Sequence, residues 1–253
     1  MSQRRPPPRK PLPRRPAPPQ PTSRSVVADR SATVDAAVPT GQPARSDGVL
    51  RIVRFDVVQR AAHWANATLF GICILTALPL YFSQLGGVIG RHVLVEQIHV
   101  WSGIALPVPL VVSLIGPWGV RMRRDVRRFN RWSSDEVRWL WTLGRDRRMA
   151  PDKFNPGQKL NAIFVGGSIV VMLGTGAIMK WFSPFPVSWR TGATFVHEVL
   201  AWVVFVVIFG HIVMALTHRE ALRSIFLGWV SAAWARAHPP DWAAEELDRA
   251  KPS

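Results

Sequence analysis

The sequence predicts an all-α membrane protein: a four-transmembrane-helix bundle with cytoplasmic amphipathic helices and a disordered N-terminal tail. Two observations lead there. The apolar residues of the 253-residue chain gather in four blocks of 22 or 23 residues, at 61–82, 98–120, 160–182 and 195–217. The basic residues avoid two of the three segments between those blocks. A helix rising about 1.5 Å per residue needs roughly 20 residues to cross a hydrocarbon core of about 30 Å. Each block meets that length. Together they hold two formal charges, Lys180 and Glu198, each within a few residues of a block end.

The basic residues orient the bundle. Of 32 Lys and Arg, 12 fall in residues 1–60, 12 in 120–159 and 5 in 218–253. The other three are Arg91, Lys180 and Arg190. Positive charge collects on the cytoplasmic side of membrane proteins, so both termini and the central loop are expected there. The same distribution accounts for the net charge of +16 without a nucleic-acid partner. Cys73 is the only cysteine and lies inside the first block. An intrachain disulfide, covalent haem attachment through Cys-x-x-Cys-His and an iron–sulfur cluster held by this chain alone are therefore excluded.

Residues 1–48 are rich in Pro, Arg, Ser and Ala and hold no aromatic residue. They bury too little apolar surface to offset chain entropy, so they are expected to be a disordered cytoplasmic tail beside anionic lipid. No apolar run of signal-peptide length follows their arginines. Residues 51–60 read as a short amphipathic lead-in to the first span. Pro79, Pro107 and Pro109 should kink or end helices, because proline removes a backbone donor. In the central loop, 121–159, Arg131, Trp132, Arg138, Trp139 and Trp141 suit an interfacial helix. Its last residues, Lys153-Phe154-Asn155-Pro156-Gly157-Gln158-Lys159, read as a turn feeding the third span. Gly166, Gly167, Gly174 and Gly176 in that span allow close approach of a helix or a flat macrocycle. After the fourth span, 219–234 reads as one amphipathic helix that His238-Pro239-Pro240 breaks. The four-helix domain is expected over 49–246, with 247–253 as a C-terminal tail.

Four of seven histidines lie in the spans: His63, His99, His197 and His211. Ionisable groups in a bilayer interior are costly and mark functional sites. The alternating direction of the spans puts His99 and His197 toward the outer face, and His63 and His211 toward the cytoplasm. His197 and His211 are 14 residues apart, roughly 21 Å along one helix and about 40° from sharing a face. Two ligand sites one above the other follow, and paired imidazoles between facing helices suit haem iron. Filling both axial positions favours electron transfer over oxygen chemistry. The competing readings are a histidine-lined proton path or divalent-metal site in a haem-free transporter, and a passive membrane anchor. Such a site would usually add carboxylates near the midplane, and Glu198 lies near one end.

From about residue 51 to 246 the sequence resembles the cytochrome b (gamma) subunit of respiratory formate dehydrogenases. Arg60-Ala61-Ala62-His63-Trp64, Ile98-His99, the stretch Lys153–Lys159 and the His197…His211 spacing carry the resemblance, with the tail Gly228…Trp234-Ala235-Arg236-Ala237-His238…Trp242. The histidine pattern is shared with cytochrome b subunits of nickel–iron hydrogenases and thiosulfate reductases, so the serving of a hydrogenase or another molybdenum oxidoreductase stays open. The resemblance implies two haem b groups, the outer on His99 and His197 and the inner on His63 and His211. It implies a quinone, menaquinone or ubiquinone, beside Asn155, Gly157, Gln158 and His211. The implied partners are an iron–sulfur beta subunit and a molybdenum or tungsten alpha subunit that oxidises formate, with no such site in this chain. The implied place is the bacterial cytoplasmic (inner) membrane. From the residues alone, Asn155 before Pro156 is equally a helix N-cap. Lys180 would neutralise a haem propionate or snorkel to water. The N-terminal extension and Pro156 depart from the family pattern.

Overall fold

A computed structural model describes residues 45–46, 49–142, 144–145 and 152–249. The proposed tail, 1–48, lies outside the described residues apart from Arg45–Ser46, and so does the end of the tail expected at 247–253. Helices dominate, with one small sheet.

The first span is α1, Val57–Tyr81. Asp56 caps it through a capping box with Gln59, in which each side chain accepts from the other residue's backbone N–H. That arrangement satisfies two of the orphan donors at a helix start. Pro79 sits two residues from the end of α1, and α2, Ser83–Ile89, turns the chain back. The second span is α3, His92–Ala105, continued after one residue by α4, Pro107–Leu114. Pro107 opens α4, where its missing N–H is no loss. The second block read at 98–120 is therefore displaced toward the N-terminus. Gly116, at φ 69°, takes the left-handed turn that ends the span, and Pro117–Gly119 forms a 3-10 turn.

Two helices outside the spans follow, α5, Val120–Phe129, and α6, Ser134–Trp141. The third span is α7, Pro156–Lys180, and the fourth is α8, Val187–Thr217. The four spanning segments run 25, 23, 25 and 31 residues. Leu75, Val170, Val206 and Ile212 are each at least half exposed on them. Such apolar residues have no reason to face water, and the backbone groups between the ends of a helix are satisfied internally, as a bilayer requires.

The chain differs from the sequence reading at both ends of the bundle segment. Residues 51–60 are not one lead-in: Val49–Val53 form strand β2, paired with β1, Arg45–Ser46, before α1 starts. Residues 219–234 are not one helix either. Helix α9, Arg219–Leu227, stops at Gly228, whose φ of 87° only glycine adopts without strain. A Cβ there would lie 2.7 Å from the Phe55 carbonyl oxygen. Gly228 O accepts from the N–H groups of Arg54 and Phe55. The chain then forms β3, Trp229–Ser231, antiparallel to β2 with Ile52 opposite Val230. Helices α10, Ala232–Ala237, and α11, Pro240–Arg249, close a small core of Ile52, Val230, Ala232, Ala235, Trp242 and Ala243.

Candidate functional site

The spans pack in two layers. Helix α1 lies against α3 and α4, α7 lies against α8, and α3 meets α7. The four span histidines bridge those layers in pairs. His99 on α3 and His197 on α8 have ring centres 6.4 Å apart, and so do His63 on α1 and His211 on α8. Topology reasoning paired the same residues. His63 and His211 each lie about 10 Å from the end of the bundle where α1 begins and α8 stops, by the rise of a helix. His99 and His197 lie toward the opposite end, near the start of α3 and of α8.

The spacing has a chemical meaning. A metal–imidazole bond of about 2.0 Å, with the ring centre about 1.1 Å beyond the nitrogen, would put two imidazole centres on opposite sides of one metal roughly 6.2 Å apart. Each pair supplies two ligands, and among the described residues no third His, Cys, Asp or Glu joins either to make a bare-metal site. A macrocycle that brings its own four nitrogens is the group that two such ligands complete. Asn66, one turn beyond His63, is buried with its Oδ1 lacking a partner among the described residues. Gly176 lets the His197 ring rest on α7, because a Cβ there would lie 3.3 Å from His197 Cε1.

The His99–His197 pair is also held from behind. His99 Nδ1 lies 3.0 Å from Thr76 Oγ1 and 3.1 Å from the Cys73 carbonyl oxygen. His197 Nδ1 lies 2.9 Å from Thr175 Oγ1, with the Met172 carbonyl beside it. Each threonine donates its own hydroxyl proton to the carbonyl four residues back, Ile72 at 2.7 Å and Val171 at 2.8 Å. The hydroxyl oxygen is thus left to accept, which makes Nδ1 the N–H donor and frees Nε2 for a metal. Sequence reading missed both threonines; a polar residue in an apolar span was the available signal.

Asn155, Gly157 and Gln158 open α7. Asn155 Oδ1 accepts from Gln158 N at 2.8 Å, and Gln158 Oε1 accepts from Asn155 N at 3.1 Å. The capping box uses one oxygen of each amide, and among the described residues each NH2 is unengaged. Trp139 of α6 stands 3.9 Å from the Cβ position of Gly157. No hydrogen bond or ring contact joins His211 to this turn among the described residues, although α7 starts at the end where α8 stops. Lys180 pairs with Glu96 at 2.7 Å, both well exposed, a contact worth about 0–1 kcal/mol.

Beneath the His63–His211 end lies a buried polar network that the sequence reading did not anticipate. Lys153 Nζ donates to Asp125 Oδ2 at 2.5 Å, and Gln59 Nε2 donates to the same oxygen. Gln59 stands one turn before His63 on α1. Both Lys153 and Asp125 are 5 % exposed in their side chains. Burial pushes the Asp125 carboxyl up, against the pull of Lys153, and pushes the Lys153 ammonium down, against Asp125. Arg54, which donates to the Lys153 carbonyl, is brought down to about 10 by burial, opposed by Asp125. Farther out Arg128 binds Asp152 and Glu245, and Lys159 binds Glu136 at 2.5 Å.

Four apolar spans with two interlayer imidazole pairs define the class: a multi-pass membrane cytochrome b. The chain belongs to the prokaryotic cytochrome b561 family, whose pattern matches residues 54–228, and membership implies haem b. It is 28% identical over 206 residues to the cytochrome b556 subunit of formate dehydrogenase from Haemophilus influenzae, covering 78% of this chain and 84% of that one. In Escherichia coli K12 it is 25% identical to the formate dehydrogenase cytochrome b556(fdo) subunit, over 77% and 92% of the two chains. It is 26% identical to the nitrate-inducible formate dehydrogenase cytochrome b556(Fdn) subunit there, over 77% and 91%.

A branched side chain at Gly176 should displace the His197 ring. Gly176→Val is expected to lower haem content per chain in a pyridine haemochrome assay, and full content would show that the close approach is dispensable.

Proposed function

We propose that this chain is the di-haem cytochrome b subunit of a formate dehydrogenase-like complex, taking electrons from an iron–sulfur subunit and delivering them across the bacterial inner membrane to quinone. The single observation that carries the reading is the pair of cross-layer imidazole couples, each 6.4 Å between ring centres and set at two depths of one bundle. His99 and His197 would hold the outer haem, and His63 and His211 the inner one. Bound there, haem would supply one-electron carriage, and two histidines held on its iron would leave no position for oxygen.

The residues of the chain do the rest. The positive termini and central loop orient the inner pair toward the cytoplasm. The free amide NH2 groups of Asn155 and Gln158 are donors suited to quinone oxygens beside His211, while their capping box holds the turn rigid. Quinone reduction at that end takes its protons from the cytoplasm, so inward electron flow adds to a proton-motive force. The partners in this reading are an iron–sulfur beta subunit and a molybdenum or tungsten alpha subunit; the relatives are named as subunits of formate dehydrogenases.

A reduced-minus-oxidised spectrum of the purified protein tests the reading. Two b haems per chain are expected, reduced by formate when the partner subunits copurify. A haem-free protein, prepared under conditions that preserve related cytochromes, would overturn it. Reduction by hydrogen in place of formate would reassign the partner and keep the module.

A further inference from the structure

The two histidine pairs differ in what stands behind the rings. At His99 and His197 the same device occurs twice on different helices. A threonine, Thr76 on α1 or Thr175 on α7, meets Nδ1 at 3.0 or 2.9 Å. A backbone carbonyl three residues earlier, Cys73 or Met172, stands beside it. At His63 and His211, no hydrogen bond to either ring is present among the described residues; His63 meets the edge of Trp64 instead. We propose that Thr76 and Thr175 are positioning residues that hold the haem of the His99–His197 pair at a lower reduction potential than the haem of the His63–His211 pair. The inference rests on the haem assignment made under Proposed function.

The physical chain is short. An imidazole that donates its Nδ1 proton into a hydrogen bond gains negative character at Nε2, becoming a more basic ligand. A more basic ligand favours the ferric state over the ferrous, because the ferric iron carries the greater charge. Two such ligands act on the same iron. Hydrogen bonding around ligands is one of the few levers a protein has on haem potential. Thr76 and Thr175 also fix the ring planes, since each hydroxyl is itself anchored to its helix by a bond of 2.7 or 2.8 Å. With haem bound at both pairs, one electron passing from this site to the other would oxidise the first iron and reduce the second, with no proton moved. The threonines thereby make that transfer downhill, toward the end of the bundle where Asn155 and Gln158 open α7.

Spectroelectrochemical titration of the haem-loaded protein tests this. Wild type should resolve two b components. Thr76→Val and Thr175→Val should each raise the lower component alone, by about tenfold in its reduction equilibrium, ~59 mV for one electron. Thr76→Ser and Thr175→Ser keep the acceptor and should hold the wild-type value. The ferric low-spin resonance of that one haem should move with the potential in paramagnetic resonance spectra. Should a valine variant lose its haem, Thr→Cys, a weaker acceptor, carries the same test and must also lie above wild type. Unmoved potentials in the valine variants, or movement of the upper component, would overturn the inference. Wild-type protein without haem would instead overturn the assignment beneath it.

Discussion

His99→Ala and His211→Ala are each expected to remove one haem and leave the other in place. Under the proposed assignment His99 would hold one haem together with His197, near the start of α3 and α8, and alanine offers no nitrogen at that position. The iron would keep one imidazole from His197, and the five-coordinate haem would dissociate in detergent. His211 belongs to the other pair, 14 residues farther along α8, so its loss leaves His99 and His197 untouched. Haem content should fall to half in each variant, and the surviving component should differ between them in potentiometric titration. His197→Ala should reproduce His99→Ala, and His63→Ala should reproduce His211→Ala. Retention of both haems in either alanine variant would refute the ligand assignment. Crossed results, with His99 grouping with His63, would refute the pairing while sparing the haem count.

The second large effect is expected on stability. Lys153→Met should destabilise the chain by about 3–5 kcal/mol, the usual loss when one partner of a buried ion pair is removed. Asp125 would be left buried with Gln59 as its remaining close donor. Asp125→Leu should cost at least as much, because Lys153 and Arg54 would then share a buried site without their carboxylate. The double variant Lys153→Met with Asp125→Leu should recover most of the loss, since well-packed apolar residues replace such pairs at little cost. Thermal unfolding in detergent, followed by tryptophan fluorescence, measures all three. Singles that melt with wild type would show that the pair is dispensable. A double that melts no higher than the singles would show that the network holds more than its own two charges.

The sequence carried a great deal of this protein. Block length and low charge disclosed the four spans, because a bilayer admits little else. The histidine pairing was legible because span direction alternates and a straight helix turns 14 residues of spacing into two depths. The ends of the spans were less legible. Hydropathy counts apolar residues, whereas the helix of the second span is stopped by Gly116 and begun at His92, so the block at 98–120 misjudged both ends. At 51–60 and 219–234 the local pattern suited helices. Pairing between residues 180 positions apart, Arg51 with Ser231, overrode it. A strand three residues long has no signature of its own and exists because its partner does.

The basic central loop illustrates the same limit. Lys153 read as part of a turn feeding the third span, yet it meets Asp125 in a buried pair with Gln59. Asn155 and Gln158 were legible as a cap, since a capping box is complete within four residues. By itself, then, the sequence determined the spans, their number and the pairing of the four histidines, because these depend on composition and helical rise along one chain. Only the tertiary structure decided which threonine stands behind which histidine, where Gly176 lets a ring approach, and which loop charges are buried. Those depend on the rotation and spacing of neighbouring helices, which side-chain packing sets across the layers.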